Sequence, residues 1–98
     1  MPSEQDYIDN LEDRIRNEYR GFKRNIEYGK KSRVLGELDL IAKRYDGGLD
    51  VYEVKASQIG RARKQLDRAK KKFPGDVRDT YIYLGRQDEI IPYRRGGR

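Results

Sequence analysis

The chain has 98 residues, enough for one domain around a modest core and too few for two that pack independently. Lys and Arg outnumber Asp and Glu by 23 to 17, giving a net charge of +6 and a pI near 9.6, so polyanions are attracted before any specific contact forms. Cysteine and histidine are absent, which excludes disulfides, zinc sites of the usual ligand set and His- or Cys-based nucleophilic catalysis, and leaves oxygen donors for a metal such as magnesium, manganese or calcium.

Charged residues make up 41% of the chain and hydrophobic ones 35%, a balance that suits disorder unless the apolar residues recur with a period. Between Ser3 and Phe22 they do: Tyr7, Ile8, Leu11, Ile15, Tyr19 and Phe22 follow steps of three and four and predict a first helix. Ser3 or Asp6 caps it, and Gly21 lies near its end. Lys23 to Tyr28 predicts a short first strand, and Gly29-Lys30-Lys31-Ser32 a turn. From Leu35 to Arg44 a second strand is expected, with Leu38, Leu40 and Ala42 on one face and Glu37, Asp39, Ile41 and Lys43 on the other. Asp46-Gly47-Gly48 then signals a hairpin. The third strand, Leu49 to Ala56, places Leu49, Val51, Glu53 and Lys55 on one face and Asp50, Tyr52, Val54 and Ala56 on the other.

Ser57 is expected to cap a second helix, read from Ile59, Ala62, Leu66, Ala69 and Phe73, and Pro74-Gly75 ends it. Thr80 to Leu84 is rich in β-formers, and the strand, helix, strand order predicts a parallel crossover onto the same sheet. Gln87 to Tyr93 predicts a short edge strand whose pairing Pro92 limits. A single domain over residues 1–93 and a flexible basic tail over 94–98 are expected. No long apolar run, signal-peptide core or lipidation signal appears, so the chain reads as cytoplasmic and free of membrane. Its dense Lys, Arg and Glu with one Met also resemble the composition of hyperthermophile proteins.

Glu53 and Lys55 are two residues apart on a predicted strand, so their side chains leave the same face about 7 Å apart at Cα. Antiparallel pairing about the Asp46-Gly47-Gly48 turn brings Asp39 beside them. Two carboxylates around one point bind a hard divalent cation, which acidifies a bound water and stabilises charge on a phosphoryl group. Lys55 then orients that water, helps to deprotonate it or stabilises the transition state, three roles that the sequence leaves open. The second helix carries Arg61, Arg63, Lys64, Arg68, Lys70, Lys71 and Lys72 against one acid, Asp67, a face suited to tracking phosphates. A plainer reading stands beside each: E-x-K next to an acid is a common cross-strand ion-pair pattern, and a basic helix is often only a solvated face.

The run GELDLIAKRYDGGLDVYEVKAS, residues 36–57, resembles the core of the PD-(D/E)xK nuclease superfamily, in the style of archaeal Holliday-junction resolvases and small resolvase-like nucleases. Asp39 matches the first acidic position and Glu53-Val54-Lys55 the E-x-K tripeptide, while Leu38 stands where the motif has a nominal proline. The resemblance implies an α/β fold with a restriction-endonuclease-like core of order α-β-β-β-α-β, its mixed central sheet flanked by helices. It implies a Mg²⁺-dependent (or Mn²⁺-dependent) endonuclease acting on DNA, structure-specific in the manner of a junction resolvase, and a homodimer that places two sites on two strands. Asp39, Glu53 and the Val54 carbonyl are then metal ligands, and Lys55 assists the water. The family often adds a glutamate from the first helix, for which Glu12 is preferred to Glu18. Gln65 matches a glutamine that relatives sometimes use on the second helix, and Glu37 a Gly-Glu pair of resolvase-like members. The alternative is a non-catalytic basic module that binds DNA or RNA on the same surface.

Overall fold

A reciprocal cap fixes where regular structure begins. Ser3 Oγ accepts the Asp6 N–H at 3.2 Å and the Asp6 carboxylate accepts the Ser3 N–H at 2.8 Å, which starts α1 (Glu4–Ile15). The structure, a computed structural model, describes residues 2–94. Helix α1 is shorter than the Ser3 to Phe22 periodicity predicts, because a 3₁₀ turn (Arg16–Glu18) follows it and Tyr19 is already extended. Tyr19 and Phe22 still meet the α1 core, carried back to it by the turn and by β1 (Gly21–Lys30).

Strands β2 (Arg33–Lys43) and β3 (Leu49–Lys55) form the predicted hairpin, in which Gly47 adopts φ 95° and Asp46 Oδ1 accepts the Gly48 N–H at 2.9 Å. Helix α2 (Ala62–Lys72) starts later than Ser57 predicts, and no side chain caps it. It leads to β4 (Val77–Leu84), parallel to β3, and β5 (Glu89–Tyr93) pairs antiparallel with β4 at the edge. Pro92 lies in that edge strand, where a missing N–H is tolerated. The five strands lie in the order β1-β2-β3-β4-β5, so the described residues form a mixed α/β fold, with one mixed sheet and two α-helices. Arg94 has no regular structure, and the rest of the expected tail, 95–98, lies outside the described residues. Among the described residues no helix is long and apolar enough to cross a membrane.

Each helix builds its own core. Helix α1 packs Tyr7, Ile8, Leu11 and Ile15 with Leu40, Ala42, Tyr52, Val54 and Tyr83. Helix α2 packs Ala62, Leu66 and Ala69 with Leu38, Ile41, Val51, Val77, Ile82 and Leu84. Period-two alternation accounts for β3, where Val51 belongs to one core and Tyr52 and Val54 to the other. Strand β2 departs from the expected alternation: Leu38 joins the α2 core while Leu40 and Ala42 join the α1 core. The reversal falls at Asp39. Strand β1 reverses with it, since Phe22 packs toward α1 and Ile26 and Tyr28 toward α2. Between those residues Asn25 has φ 52°, a left-handed conformation that asparagine tolerates better than most side chains. Arg24↔Leu40 and Ile26↔Leu38 keep one register across the point, so the two strands turn over together without slipping.

The far end of β3 is tied by the buried carboxylate of Asp50. It accepts from the Tyr19 hydroxyl at 2.5 Å, the Asp79 N–H at 3.1 Å and Arg44 Nη1 at 3.3 Å. Arg44 also reaches Asp46 and Asp79, so one guanidinium joins the β2–β3 loop to β4. Asp50→Ala removes the acceptor of one buried and two partly buried donors and is expected to lower unfolding stability by about 1–3 kcal/mol. Urea denaturation checks this, and a loss below about 0.5 kcal/mol would show that water replaces the carboxylate.

Candidate active site

Strands β2 and β3 pair regularly from Lys43↔Leu49 to Leu40↔Tyr52. The next pair in that register is Asp39 with Glu53, and there side chains replace the backbone ladder. The Val54 N–H donates to Asp39 Oδ2 at 2.8 Å, and the Asp39 N–H donates to Glu53 Oε1 at 3.3 Å. A carboxylate from β2 thus holds the backbone of β3, and a carboxylate from β3 holds the backbone of β2. Both are buried, Asp39 at 8% exposure and Glu53 at 3%.

Burial sets the charge state of this clasp. It pushes Glu53 up to about 8, helped by the negative charge of Asp39 and opposed by the Asp39 N–H bond and the Lys55 ammonium. Burial also raises Asp39, against the pull of the Val54 N–H and of Lys55. Lys55 is therefore close enough to act on both carboxylates, as the E-x-K spacing predicts.

A third carboxylate comes from α1, and it is Glu4. Burial raises its pKa first and the Asp39 charge second, which puts Glu4 beside Asp39 and within the field of Lys55. Neither glutamate expected from this helix joins the cluster. Glu12 accepts from Arg24 Nε at 2.5 Å, and Glu18 lines a separate cleft with Tyr19, Arg44 and Asp50. Glu4 had one signal in the sequence: it extends the stripe of Tyr7, Ile8 and Leu11 by one step of three toward the N-terminus. An acid in a first helical turn is ordinarily explained by the helix dipole, which hides that signal.

Glu4, Tyr7, Val54 and Lys55 line a cleft of about 230 Å³. The Lys55 carbonyl accepts the Gly85 N–H at 2.7 Å on the β4 side, and the Val54 N–H points to β2. A strand residue directs its N–H and C=O to the same side, so the Val54 carbonyl also faces β2 and Asp39. Two carboxylates and a carbonyl are hard oxygen donors, which fit Mg²⁺ or Mn²⁺. Each backbone bond uses part of a carboxylate's acceptor capacity and leaves lone pairs for a cation. Among the described residues no group of three or more acidic side chains forms a metal cage by itself. Asp39, Glu53 and the Val54 carbonyl would at most supply part of a hard-cation shell, for which Mg²⁺ ordinarily keeps several waters.

The remaining expected residues lie elsewhere. Gln65 accepts the Tyr28 hydroxyl at 3.1 Å rather than meeting the carboxylates. Glu37 is exposed opposite Glu27 on β1. Arg61, Arg63, Lys64, Arg68 and Lys71 are all exposed on or beside α2. No family model matches the chain, and no curated protein matches it. The site stands on its geometry.

Glu53 has a folded pKa above its ordinary 4.5, so between pH 4.5 and about 8 the folded chain binds more protons at this position than the unfolded chain. Its stability contribution is greatest below pH 4.5 and is lost as pH rises through about 8. In EDTA the Tm of the native protein should fall over this window, Glu53→Gln should flatten the fall, and Mg²⁺ should raise Tm most at its alkaline end. A Tm that rises with pH in the native protein and not in Glu53→Gln would contradict the assignment.

Proposed function

We propose that this chain is a Mg²⁺- or Mn²⁺-dependent nuclease that hydrolyses phosphodiester bonds, with DNA as the favoured substrate and endonucleolytic, structure-selective cleavage as the mode. The observation that carries the reading is the buried pair Asp39 and Glu53, clasped to each other's strands with Lys55 beside them. Burying two carboxylates together is costly, and a divalent cation at the pair relieves that cost. The element order helix, three strands, helix, two strands contains the expected α-β-β-β-α-β run with one added edge strand and is compatible with the resemblance to PD-(D/E)xK nucleases, and a restriction-endonuclease-like core belongs to the same reading.

In this reading Asp39, Glu53 and the Val54 carbonyl hold the cation, which supplies charge stabilisation at the phosphate and acidifies water. Asp39 and Glu53 stay in place without rotamer freedom, because each is pinned by a backbone N–H. Lys55 offers donors that a phosphate oxygen gains as negative charge grows in the transition state. Glu4 stands at the rim of the cleft as a proton acceptor or water-positioning group beside Asp39. Cutting both strands of a duplex or junction requires two such sites, so a symmetric homodimer is part of the proposal. A cytoplasmic setting, where DNA and free Mg²⁺ are both at hand, belongs to it too.

The test is cleavage of end-labelled single strands, duplexes, flaps and four-way junctions in Mg²⁺, Mn²⁺ or EDTA. Asp39→Asn and Glu53→Gln should fall to background, and Lys55→Met should lose about 10²–10³-fold in kcat. Glu4→Gln should lose about 10-fold, as for a group one step from the metal, whereas Glu12→Gln should stay within about 2-fold of the native protein. Equal cleavage by native protein and Asp39→Asn, or no cleavage of any substrate by the native protein, overturns the reading. Binding that persists without cleavage or metal would instead favour the non-catalytic module.

A further inference from the structure

The β1–β2 hairpin and the C-terminal half of α2 face each other across a groove of about 540 Å³. Lys30 and Arg33 line it from the hairpin, and Arg68, Lys71 and Lys72 from the helix, with no acidic residue among the lining. Tyr28 forms part of the groove, and its hydroxyl donates to Gln65 on α2 at 3.1 Å. Gly36 sits directly under that ring, where a Cβ would meet the Tyr28 hydroxyl at 2.5 Å. Lys72 Nζ also reaches the Gly29 carbonyl at 3.5 Å. The two walls are thus tied together by contacts at the tyrosine and at the hairpin end.

Cations in the last turn of a helix are favoured by its dipole, which explains Lys70, Lys71 and Lys72 without any ligand. It does not explain Lys30 and Arg33, which come from another element and face the same space. Like charges brought together across a groove repel each other unless an anion lies between them. Among the described residues none of the five forms an ion pair, so no acid offsets the repulsion across the groove.

We infer that this groove binds the sugar-phosphate backbone of a nucleic-acid strand, with the β1–β2 hairpin as its second wall. The charge pattern fits a linear polyanion, since cations line both sides and carboxylates are excluded. The inference rests on the nucleic-acid part of the preceding reading and not on catalysis. It assigns phosphate contacts to Lys30, Arg33 and Lys72, which helix periodicity alone does not reveal, and takes emphasis from Arg63 and Lys64, which are exposed but do not line the groove.

The experiment measures the affinity of the native protein for a fluorescent 20-nucleotide strand in EDTA over a range of salt, by anisotropy. Three charge-matched double variants are compared: Lys30→Ala with Arg33→Ala, Lys71→Ala with Lys72→Ala, and Arg63→Ala with Lys64→Ala. All six positions are exposed, so folding should survive, and thermal melts verify it. The two groove pairs should each weaken binding about 10-fold or more and lower the salt slope by about 1.4, the value for two lost phosphate contacts on a single strand. The outer pair should change affinity less than about 3-fold and leave the slope nearly intact. Equal effects from all three pairs would show that only net charge matters and would overturn the groove. So would groove variants that bind as the native protein does. Asp39→Asn should bind with the native slope, so loss of cleavage there and loss of binding in the groove variants fail separately.

Discussion

Where β2 leaves β3, two carboxylates take over the work of the backbone ladder, and the rest of the site depends on that exchange. The Val54 N–H and the Asp39 N–H would otherwise be buried donors without partners, each costing about 1–3 kcal/mol. Asp39 and Glu53 satisfy them and are held rigid in return. The same bonds oppose the burial that raises both carboxyls, so fold stability and charge state are set by one pair of residues. Replacing either carboxylate therefore changes the stability of the strand pair and the charge state of its partner together.

Geometry around the clasp follows from how the hairpin turns over. Asn25 and Asp39 fall between the Arg24↔Leu40 and Ile26↔Leu38 pairs of β1 and β2, at the point where both strands exchange faces between the α1 core and the α2 core. Asp39 therefore belongs cleanly to neither core, which leaves its side chain free to point along the sheet toward β3. Asp50 and Arg44 hold the opposite end of β3. With that end fixed, a one-residue slip that would reverse every side chain on β3 is resisted from both sides.

Charge is distributed by pairing as much as by composition. Asp9 and Glu12 on α1 neutralise Arg24, and Asp46, Asp50 and Asp79 surround Arg44. Acids are thereby consumed on the α1 side of the sheet and at the β2–β3 loop. Among the described residues, the cations of α2 and of the hairpin that faces it are part of the positive charge that no acid pairs. The net +6 of the chain is consequently concentrated in part on the groove between α2 and the hairpin.

Local chemistry was legible in the amino-acid sequence. The two amphipathic stripes, the Asp46-Gly47-Gly48 turn, the alternation of β3 and the opposition of Asp39 to Glu53 all follow from backbone periods and turn preferences that act over a few residues. Four features needed the tertiary structure. The end of α1 at Ile15 was masked because Tyr19 and Phe22 keep a helical spacing while reaching the same core from a turn and a strand. Leu38 faces the α2 core against simple alternation because alternation assumes an unbroken strand, and the strands turn over beside the left-handed Asn25. Glu4, and not Glu12, stands by Asp39 because the choice depends on where α1 docks across β3, a matter of packing between elements rather than of spacing within one. Lys30 and Arg33 met the cations of α2 only on folding, since residues some forty positions apart become neighbours through the sheet alone. Sequence determines which side chains share a strand or a helix face, because those periods are local; which elements then meet is decided by how two cores close on one sheet.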